Sequence, residues 1–356
     1  MKELFSPASK SIGSILERSD YWRRSPATAG GQAGHKEWSY FCVFGDQVTL
    51  VANLSIMDQP SLTGRDSGRI EAARVVVLVR DAGGRWQGNI EDCPPEQVAI
   101  PAGQIGARFG HSSLAFVNGG YRLHIRAGSE IEADLHLQPE TRPALTRSVP
   151  LGMMEPMRWL VVPRLRTSGE MRIGNSRHFI SGCPAYHDHN WGRFAWGGDF
   201  AWEWGISLSS ANSAPWSLIY YRITDRGRHQ AVSQGLLLWR KADHSRTFQD
   251  REIVARTLGF LRPNHPLRVP SVAALAIPGT AADIPRRLEV HASSEGEELE
   301  VAFELEDCAQ IAVPNDSDAG FTSIWEVHGR ARARGNIRGE RIEFESPAIV
   351  EFNRAA

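Results

Sequence analysis

Residues 186–192 read Tyr-His-Asp-His-Asn-Trp-Gly and bring two imidazoles, a carboxyl group and an amide into four neighbouring positions. Histidine and aspartate are among the side chains that most often transfer protons in enzymes. In an extended strand, successive side chains point to opposite faces. The segment would therefore have two chemically different faces, one carrying Tyr186, Asp188 and Asn190 and the other carrying His187, His189 and Trp191.

A metal site is one interpretation of this segment. His187 and His189 stand two positions apart, so both could reach one cation. A third ligand would be needed, and no carboxylate stands at a spacing that confirms it, while His35 and His178 would only be guesses. We therefore expect no metal at this segment.

Proton chemistry is the second interpretation. An acid can activate an alkene, and aromatic faces stabilise the resulting cation by about 0.5–2 kcal/mol per contact. Asp188 could be the donor if an apolar pocket keeps its carboxyl group protonated. His187 or His189 could instead donate as an imidazolium or orient the carboxyl group, with Trp191 as a wall. In a cyclisation the same residues would hydrogen-bond a substrate carbonyl and orient the chain.

A purely structural role is the third interpretation. Buried polar groups must be paired, and histidine, aspartate and asparagine pair well with one another. On a central strand between two β domains, such a cluster could tie the domains together by hydrogen bonds. Asn190 is as well suited to bonding at the end of a strand as to catalysis.

Aromatic residues beyond the motif are candidates for lining a substrate pocket. The chain has 11 tryptophans, and tryptophan surpluses often line apolar pockets as well as cores. Two acidic residues near them, Glu203 and Glu326, are interpreted as a solvated and a rim glutamate. The predicted substrate-binding residues are Tyr186, Asn190, Trp196, Trp202, Trp204, Tyr220 and Tyr221.

Composition excludes several classes of function. The 356 residues carry a formal net charge of −1, whereas a nucleic-acid-binding protein needs a basic surface. There is no Cys-x-x-Cys pair and no Gly-x-Ser-x-Gly or phosphate-binding glycine motif. The N-terminus has no apolar run typical of a signal peptide, and no stretch of about 18 apolar residues could span a membrane. We expect a reduced, cytoplasmic protein.

The hydrophobic pattern predicts an all-β protein. Residues 121–127 and 131–139 alternate strictly between apolar and polar side chains, as do the arms around the turn in 169–182, so each pair predicts an antiparallel hairpin. Residues 11–22 predict one short helix, and residues 247–261 fit either strand or helix. The length accommodates a lead-in, residues 1–36, and two β domains, residues 37–195 and 196–356.

Several segments together resemble a known superfamily. These are EWSYF (37–41), WLVVPRLRTSGEMRIGNSRHFISG (159–182), YHDHNWG (186–192), FAWEWG (200–205), SLIYYRITD (217–225) and IWEVHGRARARG (324–335). In this order they resemble the lipocalin-like superfamily that includes hydroxyneurosporene synthase (carotenoid 1,2-hydratase), tocopherol cyclase and fungal Diels–Alderases. The resemblance covers residues 37–352. The ending EFESPAIVEF lacks the glycine- and tyrosine-rich close associated with the hydratases.

The resemblance implies two tandem lipocalin-like antiparallel barrels or sandwiches and catalysis without metal or organic cofactor. It implies a hydrophobic unsaturated substrate of the isoprenoid, carotenoid or polyene type, changed by hydration or cyclisation. Contact with a membrane surface would give access to such a ligand. The rival function is a non-catalytic hydrophobic-ligand carrier. The residues predicted to be catalytic are His187, Asp188, His189 and Trp191.

Overall fold

Nearly every described segment of the chain is β-strand. The computed structural model describes residues 7–23, 34–57, 72–145, 157–209, 216–262, 266–272, 283–316 and 319–355. It divides into two compact units, Met1–Ala195 and Trp196–Ala356. The predicted all-β class is confirmed, and among the described residues no helix is long and apolar enough to cross a membrane.

The first unit consists of one helix followed by one large antiparallel sheet. The helix is α1 (Pro7–Ser19). The strands are β1 (His35–Phe44), β2 (Val48–Met57), β3 (Ala72–Asp81), β4 (Trp86–Cys93), β5 (Val98–Ala99), β6 (Ala107–Phe109), β7 (Ser112–Val117), β8 (Gly120–Ala127), β9 (Ile131–Pro139), β10 (Ala144–Leu145), β11 (Arg158–Ile173) and β12 (Ser176–Arg193).

The strand order places the motif in the middle of this sheet. The order is β4-β3-β2-β1-β12-β11-β9-β8-β7-β6-β5, and β10 pairs with β11. The strand β12 carries residues 186–192 and lies between β1 and β11. Its register sets Tyr40 of β1 opposite Asp188, and Ser39 opposite His189. Both edges of the motif strand are therefore hydrogen-bonded to long neighbours.

Both predicted hairpins of the first unit are confirmed. β8 pairs with β9 in the alternating register, with Tyr121 buried and Arg122 exposed. β11 and β12 are joined by a tight turn in which Gly174 has a φ of 57°, a conformation that glycine adopts without strain. This turn sets the register that brings the motif beside β11.

The short helix predicted in the lead-in packs on the core of this sheet. Ile12 and Leu16, four positions apart, are buried on one side of α1, while Ile15 is exposed. Trp22, just beyond the helix, is also buried in the core formed by the inward-facing residues of the sheet. The lead-in is thus part of the compact first unit, and its residues 1–6 and 24–33 lie outside the described residues.

The second unit is a single sheet of ten strands. Their order is β16-β15-β14-β13-β22-β21-β20-β19-β17, and β18 pairs with β20 in parallel. The strands are β13 (Ala201–Leu208), β14 (Trp216–Thr224), β15 (Ala231–Arg240), β16 (Asp243–Gln249), β17 (Ile253–Phe260), β18 (Leu267–Val269), β19 (Pro285–Ser294), β20 (Glu297–Pro314), β21 (Phe321–Ile337) and β22 (Glu340–Ala355).

The ambiguous segment 247–261 contains no α-helix. It holds the end of β16, a 3₁₀ turn at Asp250–Glu252, and β17. On the outer side of β17, Val254, Leu258 and Phe260 are apolar but exposed, and Arg256 lies between them.

Candidate functional site

The motif strand has the two faces that its alternation predicts. One face points into the apolar core of the first unit, since Ala185 and Trp191 are members of that core. His187 and His189 share this inner face. Tyr186, Asp188 and Asn190 share the outer face. The chemistry of each face is determined by what the neighbouring elements bring to it.

On the inner face, one carboxylate joins both histidines. Asp20 follows the end of α1, and its Oδ2 lies 3.0 Å from Nε2 of His187. Its Oδ1 lies 2.7 Å from Nδ1 of His189. Tyr121 of β8 donates its hydroxyl to the same carboxylate. Asp20 therefore connects the end of α1 by hydrogen bonds to two strands of the sheet, β8 and β12.

A second carboxylate extends the network along β1. Glu37 Oε1 lies 2.9 Å from Nε2 of His189, and its Oε2 lies 3.0 Å from Nε2 of His35. The backbone N–H of Arg23 donates to Oε1 at 2.7 Å. Both ring nitrogens of His189 thus face carboxylate oxygens, which only accept hydrogen bonds. The ring must donate from both nitrogens and is an imidazolium.

The charges of the network reinforce one another. Burial alone would raise the pKa of Asp20, but the charge and hydrogen bond of His187, with those of His189, hold it well below its ordinary value. Burial also opposes ionisation of Glu37, yet the hydrogen bonds from His189 and His35 lower its pKa to about 2. For His189, burial favours the neutral ring, but the bonds to Asp20 and Glu37 raise its pKa.

Aromatic side chains enclose the two imidazoles. Phe41 stacks on His187 with ring centroids 4.2 Å apart. Trp22 and Trp191 lie 5.3 and 5.4 Å from the ring of His189. Both histidines are fully buried, at 0% exposure. Enclosed and paired in this way, they are suited to holding the fold together, which is the third interpretation of the sequence.

The network makes the stability of the first unit depend on pH in both directions. Carboxyl groups with a lowered pKa stabilise the fold above their unfolded pKa of about 4, and that contribution is lost as the pH falls. His189, with a raised pKa, stabilises the fold below its unfolded pKa of about 6.5, and that contribution is lost as the pH rises through its folded pKa. We expect the free energy of unfolding to be largest between about pH 4 and 6.5.

Chemical denaturation of the full chain over a pH series measures this profile. His189→Gln should lower the maximum and remove much of the decline on the alkaline side, because the titrating imidazole is gone. A wild-type free energy of unfolding that climbs steadily from acid to alkaline pH would contradict the assignment.

On the outer face, the carboxyl group of Asp188 is fixed by its two neighbours on the same strand. The Tyr186 hydroxyl donates to Oδ2 at 2.8 Å, and the Asn190 amide donates to Oδ1 at 2.6 Å. Asp188 is 5% exposed. Three of the five residues paired with this face on the adjacent strands are aromatic, namely Trp38 and Tyr40 of β1 and Trp159 of β11; the other two are Cys42 and Val161.

The predicted aromatic residues of the second unit lie on β13, β14 and the segment before β13. Trp202 and Trp204 share one face of β13, and Trp196 lies 5.6 Å from Trp202. Tyr220 is buried inside the sheet, whereas the neighbouring Tyr221 is half-exposed. The predicted site residues therefore fall into two groups, one in each unit.

The two glutamates interpreted as solvated or at a rim are both buried, so that interpretation is wrong. Glu203 is 4% exposed, and its carboxylate lies 3.2 Å from Nη2 of Arg354 and accepts the Tyr220 hydroxyl at 3.2 Å. Glu326 is 1% exposed. Alternation correctly placed Glu203 on the face opposite Trp202. It did not reveal the arginine, 151 positions away, that stabilises its charge.

A possible metal-ligand set lies away from the motif. Within the described part of the chain, the one group whose ligand atoms lie within 4.8 Å of one another is Glu306, Asp307 and His328. His187 and His189 do not belong to it. Their nitrogens bond to protein carboxylates and, at His187 Nδ1, to the Tyr40 carbonyl.

Two functional-site residues escaped the sequence analysis. Asp20 and Glu37 complete the inner network; Asp20 stands in no motif, and Glu37 opens the segment EWSYF without any spacing that indicates chemistry. Two histidines on a buried face require acceptors, so a carboxylate partner could have been predicted. Its position could not, because Asp20 is 167 residues from His187.

Comparison with known proteins gives structural neighbours only. No model of a known protein family matches the sequence, and no curated protein matches it either. A protein from Nitrosomonas europaea provisionally named AttH aligns over 89% of this chain and 92% of its own, with a TM-score of 0.64 and 16% identity. Kievitone hydratase from Nectria haematococca aligns over 95% and 91%, with a TM-score of 0.59 and 12% identity. CghA, crystallised with Sch210972, aligns over 90% of this chain and 88% of its own, with a TM-score of 0.59 and 12% identity.

The fold is lipocalin-like. All three likenesses extend over most of both chains, so they confirm the predicted class of tandem β barrels or sandwiches. At these identities they show the fold, and function has to be argued from the site.

Proposed function

We propose that this protein is a cofactor-independent enzyme that hydrates or cyclises a hydrophobic unsaturated substrate of the isoprenoid, carotenoid or polyene type. The observation that carries the proposal is the outer face of β12. There the Asp188 carboxyl group is oriented by Tyr186 and Asn190 and flanked by aromatic side chains of both neighbouring strands. A positioned carboxyl among aromatic rings is what acid-assisted alkene chemistry needs.

The proposed hydration returns the carboxyl group to its starting state. Protonated Asp188 gives its proton to one alkene carbon, and the neighbouring carbon becomes a cation. Water attacks that cation, and the carboxylate takes the proton released by the attacking water. In a cyclisation, a second double bond of the substrate attacks the cation in place of water, and loss of a proton to the carboxylate closes the cycle.

The roles proposed for the other motif residues follow from their positions. His187 and His189 are positioning residues, because the network around Asp20 holds the strand that carries Asp188. Trp191 faces the core, where the Arg23 guanidinium lies 3.5 Å from its ring centroid. We therefore assign the cation-facing wall to the aromatic residues of the outer face, Trp38, Tyr40 and Trp159.

Two further observations support this class of reaction. Kievitone hydratase, whose name states a hydration, shares the fold over most of its length. The sequence segments themselves resemble the superfamily of carotenoid 1,2-hydratase.

All four cysteines are free, which agrees with the proposed cytoplasmic location. Contact with a membrane surface, where such substrates dissolve, remains part of the proposal.

A hydrophobic-ligand carrier is the second candidate function. The observation in its favour is the inner face of the motif, where the ring nitrogens of His187 and His189 all have protein partners and serve the fold. A carrier would bind polyenes without changing them.

Product analysis separates the two candidates. Purified protein is incubated with acyclic carotenoids and prenylated quinols in water enriched in the heavy oxygen isotope, and the extract is analysed by mass spectrometry. Hydration predicts a product heavier by one labelled water, and cyclisation predicts an isomer with a new retention time. Bound but unchanged substrate across the panel would contradict the enzyme proposal and support the carrier.

A further inference from the structure

The outer side of β17 exposes apolar side chains that have no role in the proposal above. Val254, Leu258 and Phe260 share one face of this strand and are 50%, 44% and 55% exposed. β17 is also the last strand of its sheet, and among the described strands its ladder partner is β19 alone. Exposed apolar side chains clustered at a sheet edge mark a surface that another structure covers.

Three exposed arginines surround these side chains. Arg256 lies between two of them on the same face of β17, and Arg262 follows the end of the strand. Arg286 of β19 lies beside Gly259, since a Cβ atom placed on that glycine would be 3.9 Å from Nε of the arginine. We call this surface the β17 patch; its members are Val254, Arg256, Leu258, Phe260, Arg262 and Arg286.

Neighbouring carboxylates do not neutralise the positive charge of the β17 patch. Within the described part of the chain, none of its three arginines forms an ion pair. Glu289 stands opposite Arg256 in the register, but its Oε1 lies 2.6 Å from Nη2 of Arg287 and is paired there. The patch therefore concentrates three positive charges on a chain whose formal net charge is −1.

Exposed apolar side chains ringed by uncompensated arginines complement the surface of an anionic lipid bilayer. The apolar side chains can enter the boundary between headgroups and acyl chains, while the long arginine side chains keep their guanidinium groups at the level of the lipid phosphates. A second copy of this chain is a poorer complement, because it would place three arginines against three arginines, and like charges brought together at an interface oppose association.

We propose that the β17 patch is the surface by which this protein docks on an anionic lipid bilayer. Val254, Leu258 and Phe260 enter the bilayer boundary, and the three arginines bind lipid phosphates around them. The inference rests on the membrane contact that forms part of the proposed function, and it names the docking surface and the charge of the lipid. It concerns binding alone and requires no turnover.

Co-sedimentation of the full-length protein with vesicles tests the docking. Vesicles of phosphatidylglycerol mixed with phosphatidylcholine are compared with vesicles of phosphatidylcholine alone. Wild type should bind the anionic vesicles at least about tenfold more tightly, and added salt should weaken this binding because it screens the attraction. Equal binding to both kinds of vesicle, or no binding to the anionic ones, would overturn the proposal.

Arg256→Gln combined with Arg286→Gln tests the charged part of the patch. Loss of two arginines should weaken binding to anionic vesicles about 30-fold, which corresponds to about 2 kcal/mol. Arg85→Gln combined with Arg341→Gln is the matched control, because these side chains are 75% and 82% exposed and each already pairs with a carboxylate. The control should stay within about threefold of wild type. Equal losses in the two double variants would show that overall charge governs binding and would refute the patch.

Phe260→Ser tests the apolar part of the patch. A phenyl ring that leaves water on docking should contribute about tenfold or more to the binding of anionic vesicles. Phe179→Ser is the control, because Phe179 of the first unit is 77% exposed and lies outside the patch. The control should bind like wild type. Sedimentation velocity without lipid adds a second readout: a change from dimer to monomer in Phe260→Ser, with unchanged vesicle binding, would assign the patch to contact between copies and refute the docking.

Asp188→Asn separates the docking from the proposed activity. This variant should bind anionic vesicles as tightly as wild type, because the β17 patch belongs to the second unit and carries none of the proposed chemistry. Turnover of a polyene by a protein that ignores anionic vesicles would refute the docking alone. Vesicle binding by a protein that forms no product would support the docking and refute the enzyme proposal alone.

Discussion

Asp20→Ala is expected to lose about 3–5 kcal/mol of the free energy of unfolding. The substitution removes the carboxylate that bonds to both His187 and His189 in a fully buried interior, so His187 loses this partner and the imidazolium of His189 keeps one of its two carboxylates, Glu37. It also leaves the Tyr121 hydroxyl without its acceptor. Removing one member of a buried ion pair costs far more than the pair contributes, because the remaining charge stays desolvated.

Urea denaturation of the full chain measures this effect against a matched surface pair. Asp134 lies 2.7 Å from Nδ1 of His124, but 64% of the Asp134 side chain and 35% of the His124 side chain are exposed to solvent. Asp134→Ala should cost only about 0–1 kcal/mol, because water already solvates both groups. If Asp20→Ala loses no more stability than Asp134→Ala, the buried network does not hold the first unit together.

Asp188→Asn is expected to lower turnover by about 10²–10⁴-fold, the range that general acid–base catalysis contributes. Asparagine has the same shape, keeps an oxygen for the Tyr186 hydroxyl, and can face Asn190 if that residue turns its own amide. What it loses is the ability to give and take a proton. The expected signature is a lower kcat with an unchanged KM, since substrate binding does not depend on the charge.

Tyr186→Phe gives the graded comparison for this prediction. It removes one of the two hydrogen bonds that orient the carboxyl group and leaves the proton-transferring group in place. Its kcat should fall by less than that of Asp188→Asn. An Asp188→Asn protein that is folded and retains wild-type kcat would remove Asp188 from the mechanism.

The sequence was sufficient to predict the strands and their faces. Alternation has a period of two, so each apolar residue of 121–127 predicts the orientation of its neighbours. The same rule placed His187 and Asp188 on different faces of their strand, and Glu203 on the face of its strand that does not carry Trp202. These predictions depend only on the local geometry of a strand, which is the same whichever strand it pairs with.

The partners of those side chains could not be predicted, because they come from distant positions. Asp20 reaches the motif from the end of α1, and Arg354 reaches Glu203 from the last strand. No periodicity links such pairs, and their polar residue types alone suggested solvent exposure. Glu326 of β21 stands opposite Glu351 of β22, and this pairing likewise depends on a strand register that no periodicity predicts.

Turnover per folded molecule, compared between Asp188→Asn and Asp20→Asn, tests the central claim most directly. The claim is that one strand carries a proton-transferring outer face and a structural inner face. It predicts that Asp188→Asn is stable and loses at least about 10²-fold in kcat. Asp20→Asn, assayed under conditions where it is folded, should be less stable but keep kcat within about threefold of wild type. An Asp20→Asn protein that is folded but inactive, beside an active Asp188→Asn, would assign the chemistry to the buried network and contradict the account.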